Sequence, residues 1–254
     1  MTQGASTQKH RIALVTGGMG GLGTAMCRHL AQAGMTVVAT YSPDNAYHDQ
    51  WLRNQRKEQF HFHAYCVDVR DFRGCENVAN LIATDIGPID VLVNNAGITR
   101  DASLRKMRPD DWVEVLRTNL DSVYAMSRSV IAAMCAAGWG RIINISSVNG
   151  QRGSFGQTNY CAAKAGIHGF TKALALEVAG KGVTVNTVSP GYMRTAMVAA
   201  MAQEVLNERI LPQIPMGRLG EPDEVAAVVA FLAGDRAGYI TGANIAINGG
   251  MHMY

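Results

Sequence analysis

The sequence is short of charge. Asp, Glu, Lys and Arg make up 17% of its 254 residues, against roughly 25% in an average soluble domain. Either much of the chain is buried or another subunit covers part of its surface. An excess of one sign is lacking too. The net charge is +3, and no basic stripe carries interleaved aromatics, which argues against nucleic acid as a partner. Cysteines at metal or disulfide spacing are missing. Cys27, Cys66, Cys75, Cys135 and Cys161 are odd in number and scattered, with no CxxC pair. That points away from a metal site or disulfide framework and toward a reducing compartment. Long apolar runs are absent. The longest, Val225 to Gly234, is too short to cross a bilayer, so no membrane partner is expected. The polar start MTQGASTQKH lacks the apolar stretch of a signal peptide. A cytoplasmic protein is the expectation.

Glycine, by contrast, is abundant. Its 27 positions are about 11% of the chain, where roughly 7% is usual. Disorder is excluded by an apolar content of 48%, which is far above that of unfolded chains. The length suffices for a sizeable core.

Short apolar runs alternate with segments of helical period. Ile12–Val15, Thr36–Ala39, Ala64–Val67, Val91–Val93, Ile142–Ile145, Val183–Val188 and Asn244–Ile247 read as strands. They are too continuously apolar to be half-exposed, so a parallel sheet covered on both faces is predicted. Helices are predicted over 22–33, 45–58, 72–86, 110–136, 158–179 and 222–233. The last has Pro222 near its first position and acids in its first turn, a start signal. The βαβα order predicts an α/β fold: a doubly wound parallel sheet of about seven strands in a single Rossmann-type domain over 11–254. A polar tail over 1–10 precedes it. No linker, repeat or low-complexity tract interrupts it.

The first strand runs into Thr16-Gly17-Gly18-Met19-Gly20-Gly21-Leu22-Gly23 and then a helix. Glycines at a strand–helix junction let the backbone approach a pyrophosphate, and the helix N-terminus offers it free N–H groups. A plain flexible turn is the alternative, but a strand before and a helix after meet the context the motif requires. An acid after the second strand would grip the ribose 2′-OH of NAD. Here stand Thr40-Tyr41-Ser42-Pro43, which removes repulsion against a 2′-phosphate and favours NADP. Ser42 and Tyr47 are candidate donors to that phosphate, or simply parts of a polar loop; no Lys or Arg appears until Arg53. Past the third strand, Asp68, beside Val69, is placed to accept from the adenine amino group. The fourth strand ends in Asn94-Asn95-Ala96-Gly97, where small residues leave space for a cofactor and two amides can brace strand ends.

Tyr160 and Lys164 stand at i and i+4, on one face of a predicted helix. A nearby ammonium favours phenolate. Bringing a phenol from near 10 to near 7 takes roughly 3 units, or about 4 kcal/mol, which one ammonium in a dehydrated cleft would supply with help from an oxidised nicotinamide. Ser147, at the end of the fifth strand, is placed to hydrogen-bond a substrate carbonyl, while Ser146 points to the opposite side. Asn119 is an unfavourable helix-interior residue with no evident capping role, which suggests a functional amide or a buried structural one.

Together, Thr16–Gly23, Asn94–Gly97, Asn119, Ser147, Tyr160, Lys164 and Ser189-Pro190-Gly191 resemble the short-chain dehydrogenase/reductase family over nearly the whole chain, from about Arg11 onward. The resemblance implies NADPH/NADP as cofactor. It implies that Tyr160 is the general acid, that Ser147 polarises a ketone, and that Lys164 holds the nicotinamide ribose and lowers the tyrosine pKa. Asn119 would hold a water in a relay toward Lys164. Pro190, Gly191 and Thr195 would lie along the nicotinamide. Members acting on acetoacetyl-CoA are the nearest in pattern, which implies an acyl-CoA substrate reduced to the (R)-3-hydroxy product. Its site would be lined by Asp101 and Lys106, by Ser154, Phe155 and Gln157, and by Gly191 and Tyr192. One departure is visible: such members can carry an arginine after the second strand, where this chain has Tyr47-His48.

Two other readings stay open. Arg100, Arg105, Lys106 and Arg108 form a basic cluster that suits CoA phosphates, an acidic acyl-carrier protein, or only solvent. A non-catalytic NADP sensor would be expected to have lost Tyr160 or Lys164. The family further implies a homotetramer built on the helices at 110–136 and 158–179 and on the C-terminal strand. A mobile lid is expected over 194–217, where methionines would adapt to an acyl chain.

Overall fold

The computed structural model describes residues 10–195, 198 and 202–253. The expected tail over 1–10 therefore lies outside the described residues except for His10, as do positions 196, 197 and 199–201 of the expected lid.

Seven parallel strands form one sheet: β1 (Ile12–Val15), β2 (Thr36–Tyr41), β3 (His63–Cys66), β4 (Val91–Asn94), β5 (Gly140–Ile145), β6 (Val183–Pro190) and β7 (Asn244–Ile247). Their order is β3-β2-β1-β4-β5-β6-β7. The order reverses between β1 and β4, so the connections leaving those two strands diverge and open a crevice at their carboxyl ends. The glycine loop follows β1 and Asn95–Gly97 follow β4.

Alternation along each strand splits the core in two. Ala13, Val15, Val93 and Ile143 face α1 (Gly21–Gln32) and the helix Pro222–Ala233, numbered α8 below. Ile12, Leu14, Leu92 and Ile142 face the other way. There they meet α3 (Phe72–Asp85), α5 (Ser122–Ala137) and α7 (Thr158–Val178). The sheet is doubly wound, as expected. The start of α8 matches its signal, with the Glu224 carboxylate accepting from the Glu221 N–H at 2.8 Å.

Four expectations need correction. Burial on both faces holds for β1, β4, β5 and β6 but not for β3 and β7, which are half-exposed. These are the edge strands, where helices cover less of the sheet. The helix expected over 110–136 is three pieces: α4 (Pro109–Leu116), a π-helical turn (Arg117–Asp121) and α5. A five-residue helix, α6 (Val148–Arg152), was not anticipated between β5 and α7. Helix α2 (His48–Lys57) starts three residues late because Asn45 closes a turn onto the Tyr47 N–H. Among the described residues no helix is long and apolar enough to cross a membrane.

Candidate active site

The glycine loop is built around contacts that no side chain could share. Gly17 is left-handed (φ +60°), and a Cβ on Gly23 would lie 2.5 Å from the Gly17 carbonyl oxygen. A Cβ on Gly18 would lie 2.8 Å from Ala39 Cβ. The loop therefore folds flat against β2. The first intrahelical bond of this turn is donated by Thr24 to Gly20 at 2.7 Å. The N–H groups of Gly21, Leu22 and Gly23 precede it and remain as donors at the helix N-terminus. Thr195 packs on this turn, its Cγ2 lying 3.4 Å from where a Gly21 Cβ would be.

One hydroxyl fixes the loop to β4. Thr16 Oγ1 donates to Val93 O and accepts from the N–H groups of Asn95 (3.0 Å) and Ala96 (3.1 Å). Asn95 Nδ2 returns to the carbonyls of Thr16 and Gly17. Asn94 Nδ2 donates to Asn144 Oδ1 at 2.8 Å, bracing β4 on β5. Thr16 was passed over as a site residue, although a hydroxyl ending a buried strand was the available signal.

Past β3, Asp68 is held by Arg70, whose Nε and Nη2 donate to it at 2.9 and 2.8 Å. Those bonds hold its carboxyl below the usual range. Val69 is buried in the core beside it. Ser42 and Tyr47 are exposed, and His48 stacks flat on Tyr41 with ring centroids 4.5 Å apart.

The polar group lies at the ends of β5 and α7. Ser147 caps α6, its Oγ accepting from the Asn149 N–H at 3.1 Å. With one lone pair so engaged, its O–H remains as a donor and is directed at Tyr160. Ser146 Oγ turns the other way, donating to Lys164 O at 2.8 Å, as expected. Lys164 is buried, and its Nζ donates to Ile145 O at 2.8 Å. Burial pushes its pKa down to about 8. Burial pushes Tyr160 up to about 12, opposed by a hydrogen bond from Ser147. The expected pull toward 7 is thus not realised by the protein alone. Lys164 Nζ sits 5.6 Å from the Tyr160 ring centroid; the lysine is buried and the tyrosine half-buried. Tyr160 is consequently a neutral phenol with a proton to give.

Asn119 lies on the π turn. Its Nδ2 donates to Ile98 O and Val115 O, both at 2.9 Å. Its Oδ1 is buried without a partner among the described residues, beside Gly97 and toward Lys164. Single π turns inside helices are frequent at functional sites. An orphaned acceptor here, together with a glycine cradle that any Cβ would fill, fits a dinucleotide and an ordered water.

The substrate-side candidates divide. Gln157 Nε2 donates to Asp101 Oδ2 at 2.8 Å, and Ala102 N donates to Gly156 O at 2.9 Å, joining two loops. The Gln157 N–H donates to Ser154 O, and Gly220 N donates to Tyr192 O. Gly191 follows Pro190 at the end of β6 and donates to Ile247 O at 2.8 Å. Phe155 is 96% exposed and Lys106 projects into solvent. Half of the basic cluster is neutralised: Arg100 donates twice to Glu114, both at 3.0 Å, and Arg108 meets Asp110. Asn149 was not foreseen, since α6 was not.

Residues 17–252 match the family model described as enoyl-(acyl carrier protein) reductase. The chain is 52% identical over 243 residues to an acetoacetyl-CoA reductase of Cupriavidus necator, covering 96% of this chain and 98% of that protein. It is 54% identical over 245 residues to an acetoacetyl-CoA reductase of Allochromatium vinosum, covering 96% and 99%. The 3-oxoacyl-acyl-carrier-protein reductase FabG of Haemophilus influenzae is 44% identical over 245 residues, covering 96% and 98%.

Proposed function

Because the chain belongs to the short-chain dehydrogenase/reductase family, and is thus an oxidoreductase, we propose that it reduces acetoacetyl-CoA to (R)-3-hydroxybutyryl-CoA with NADPH. The observation that carries this reading is geometric: Tyr160 stands one turn from a buried Lys164, whose Nζ lies 5.6 Å from its ring, with Ser147 at the head of α6 beside them. The relatives named acetoacetyl-CoA reductase point to the substrate.

When bound, the dihydronicotinamide supplies a hydride to the ketone carbon. Ser147 donates to the ketone oxygen and keeps it polarised and oriented. Tyr160 gives its proton to that oxygen as negative charge develops. Lys164 holds the ribose hydroxyls and returns a proton to Tyr160. Asn119 Oδ1 accepts from a water that links Lys164 to solvent. Glycines 17, 20, 21 and 23, with Met19 and Leu22, receive the pyrophosphate. Asp68 and Val69 take the adenine, Asn95, Ala96 and Gly97 the adjoining ribose, and Pro190, Gly191 and Thr195 the nicotinamide. The absence of an acid after β2, with Ser42 and Tyr47 as donors, favours the 2′-phosphate. The acyl-CoA lies against Asp101, Gln157, Phe155, Ser154 and Tyr192, with Lys106 near its phosphates and 194–217 as a lid.

A carrier-protein thioester is the second reading, favoured by the exposed Arg105 and Lys106, unneutralised among the described residues. Comparing kcat/KM for acetoacetyl-CoA and an acetoacetyl carrier protein, each with NADPH and NADH, decides between them. Preference for the carrier protein overturns the first reading. The half-exposed edge strand β7 and the exposed apolar side chains Val113, Tyr124 and Leu176 on α4, α5 and α7 support a homotetramer. Sedimentation as a monomer at micromolar concentration would refute it. The five free thiols support a cytoplasmic location.

A further inference from the structure

Behind Ser147 runs a string of polar contacts that the scheme above does not use. Asp101 Oδ2 accepts from Gln157 Nε2 at 2.8 Å, and Gln157 Oε1 accepts from Asn149 Nδ2 at 2.9 Å. The Asn149 backbone N–H donates to Ser147 Oγ at 3.1 Å. One residue thus touches both the ketone-polarising hydroxyl and the substrate-side amide.

The string is oriented from its outer end. An ionised carboxylate only accepts, so Gln157 turns Nε2 toward Asp101. Its Oε1 therefore faces Asn149, which answers with Nδ2. Asn149 Oδ1 is left buried and without a donor among the described residues. Such an orphan is destabilising, so the arrangement is kept against stability. Asn149 is 8% exposed and has little room to relax. Its neighbour Gly150 packs directly on α7, where an added Cβ would lie 2.8 Å from the Lys164 carbonyl carbon.

The consequence falls on Gln157, at the N-cap of α7 and one turn ahead of Tyr160. Its oxygen is occupied and one Nε2 hydrogen is on Asp101, which leaves the other hydrogen uncommitted among the described residues. Gln157 can therefore act toward substrate only as a donor. We infer that Asn149 is a positioning residue that holds Gln157 as an N–H donor for the thioester carbonyl, selecting substrates whose second carbonyl lies one methylene from the ketone. This inference rests on the thioester reading above. A site built to hydrogen-bond a substrate group discriminates against analogues that lack it.

Asn149→Ala keeps the backbone N–H, so the contact to Ser147 survives. Asn149→Asp keeps the shape but cannot donate, and it carries the test if alanine impairs folding. Each raises KM for acetoacetyl-CoA roughly tenfold, the worth of one hydrogen bond. Turnover stays within about threefold of wild type, as loss of uniform binding requires. NADPH affinity, read by fluorescence titration, does not change. Gln157→Ala behaves alike, and the double variant Asn149→Ala/Gln157→Ala is no worse than Gln157→Ala, because Asn149 acts through Gln157. Single effects that multiply, a wild-type KM in Asn149→Asp, or a loss confined to kcat would overturn the inference while leaving the substrate reading intact. A wild-type chain that does not turn over acetoacetyl-CoA would overturn both.

Discussion

The Asn119 carboxamide oxygen and the Lys164 ammonium flank one α-carbon. A methyl added to Gly97 would stand 2.6 Å from Asn119 Oδ1 and 3.5 Å from Lys164 Nζ. The orphaned acceptor and the buried cation are therefore held apart by a space that only glycine leaves open. Gly97→Ala fills it. NADPH affinity is expected to fall roughly tenfold, in line with the ~1–3 kcal/mol of an overpacked site. Fluorescence titration measures this, and an unchanged Kd would contradict it.

Asn119 also closes two carbonyls, those of Ile98 and Val115. Asn119→Ala leaves them without that donor. The chain should lose about 1–3 kcal/mol of stability, read from the urea midpoint, and its turnover should fall as well. A variant as stable as wild type would show that the π turn does not depend on this amide.

The sheet was legible because buried parallel strands announce themselves as unbroken apolar runs. The edges were not, because β3 and β7 carry similar sequence yet lie where little covers them. Asn119 stood out as a misplaced residue, but no residue period announces the π turn on which it sits. Thr16 and Asn149 escaped because their importance lies in partners remote in sequence or in a helix too short to have a period. The tuning of Tyr160 was legible only in part, for a physical reason. Residue spacing reveals a neighbouring charge, whereas burial, which here raises the phenol and lowers the amine, is known only after folding.

Lys164 gives the chain a pH signature. It is a base whose pKa is lowered in the fold, to about 8. Below that, the native state carries a buried ammonium. Between about 8 and the ~10.4 of ordinary lysine, the unfolded chain binds a proton that the native chain does not, so this residue makes stability rise with pH across that window. Lys164→Met removes the rise in urea titrations run from pH 7 to 10. Activity moves the opposite way. Reduction uses the ammonium, so kcat/KM falls as pH passes about 8. Tyr160, pushed up to about 12, keeps its proton throughout. A flat profile from pH 7 to 10 would contradict this assignment.

Cofactor choice should be adjustable at the loop after β2. Tyr47 is 78% exposed there and offers only a hydroxyl. Tyr47→Arg adds a charge-assisted partner for a 2′-phosphate and should tighten NADPH by roughly tenfold, as expected of ~1.5 kcal/mol. NADH should bind as before, and the gain should shrink with added salt. An equal gain for both cofactors would place Tyr47 away from the 2′-phosphate.

The central claim is that the Tyr160 phenol delivers the proton. Tyr160→Phe removes one oxygen and leaves Ser147, Lys164 and the glycine loop in place. With acetoacetyl-CoA and NADPH, single-turnover rates should fall by at least roughly a hundredfold, the usual worth of a positioned acid, while the NADPH Kd stays at the wild-type value. A rate within a few-fold of wild type would contradict the account.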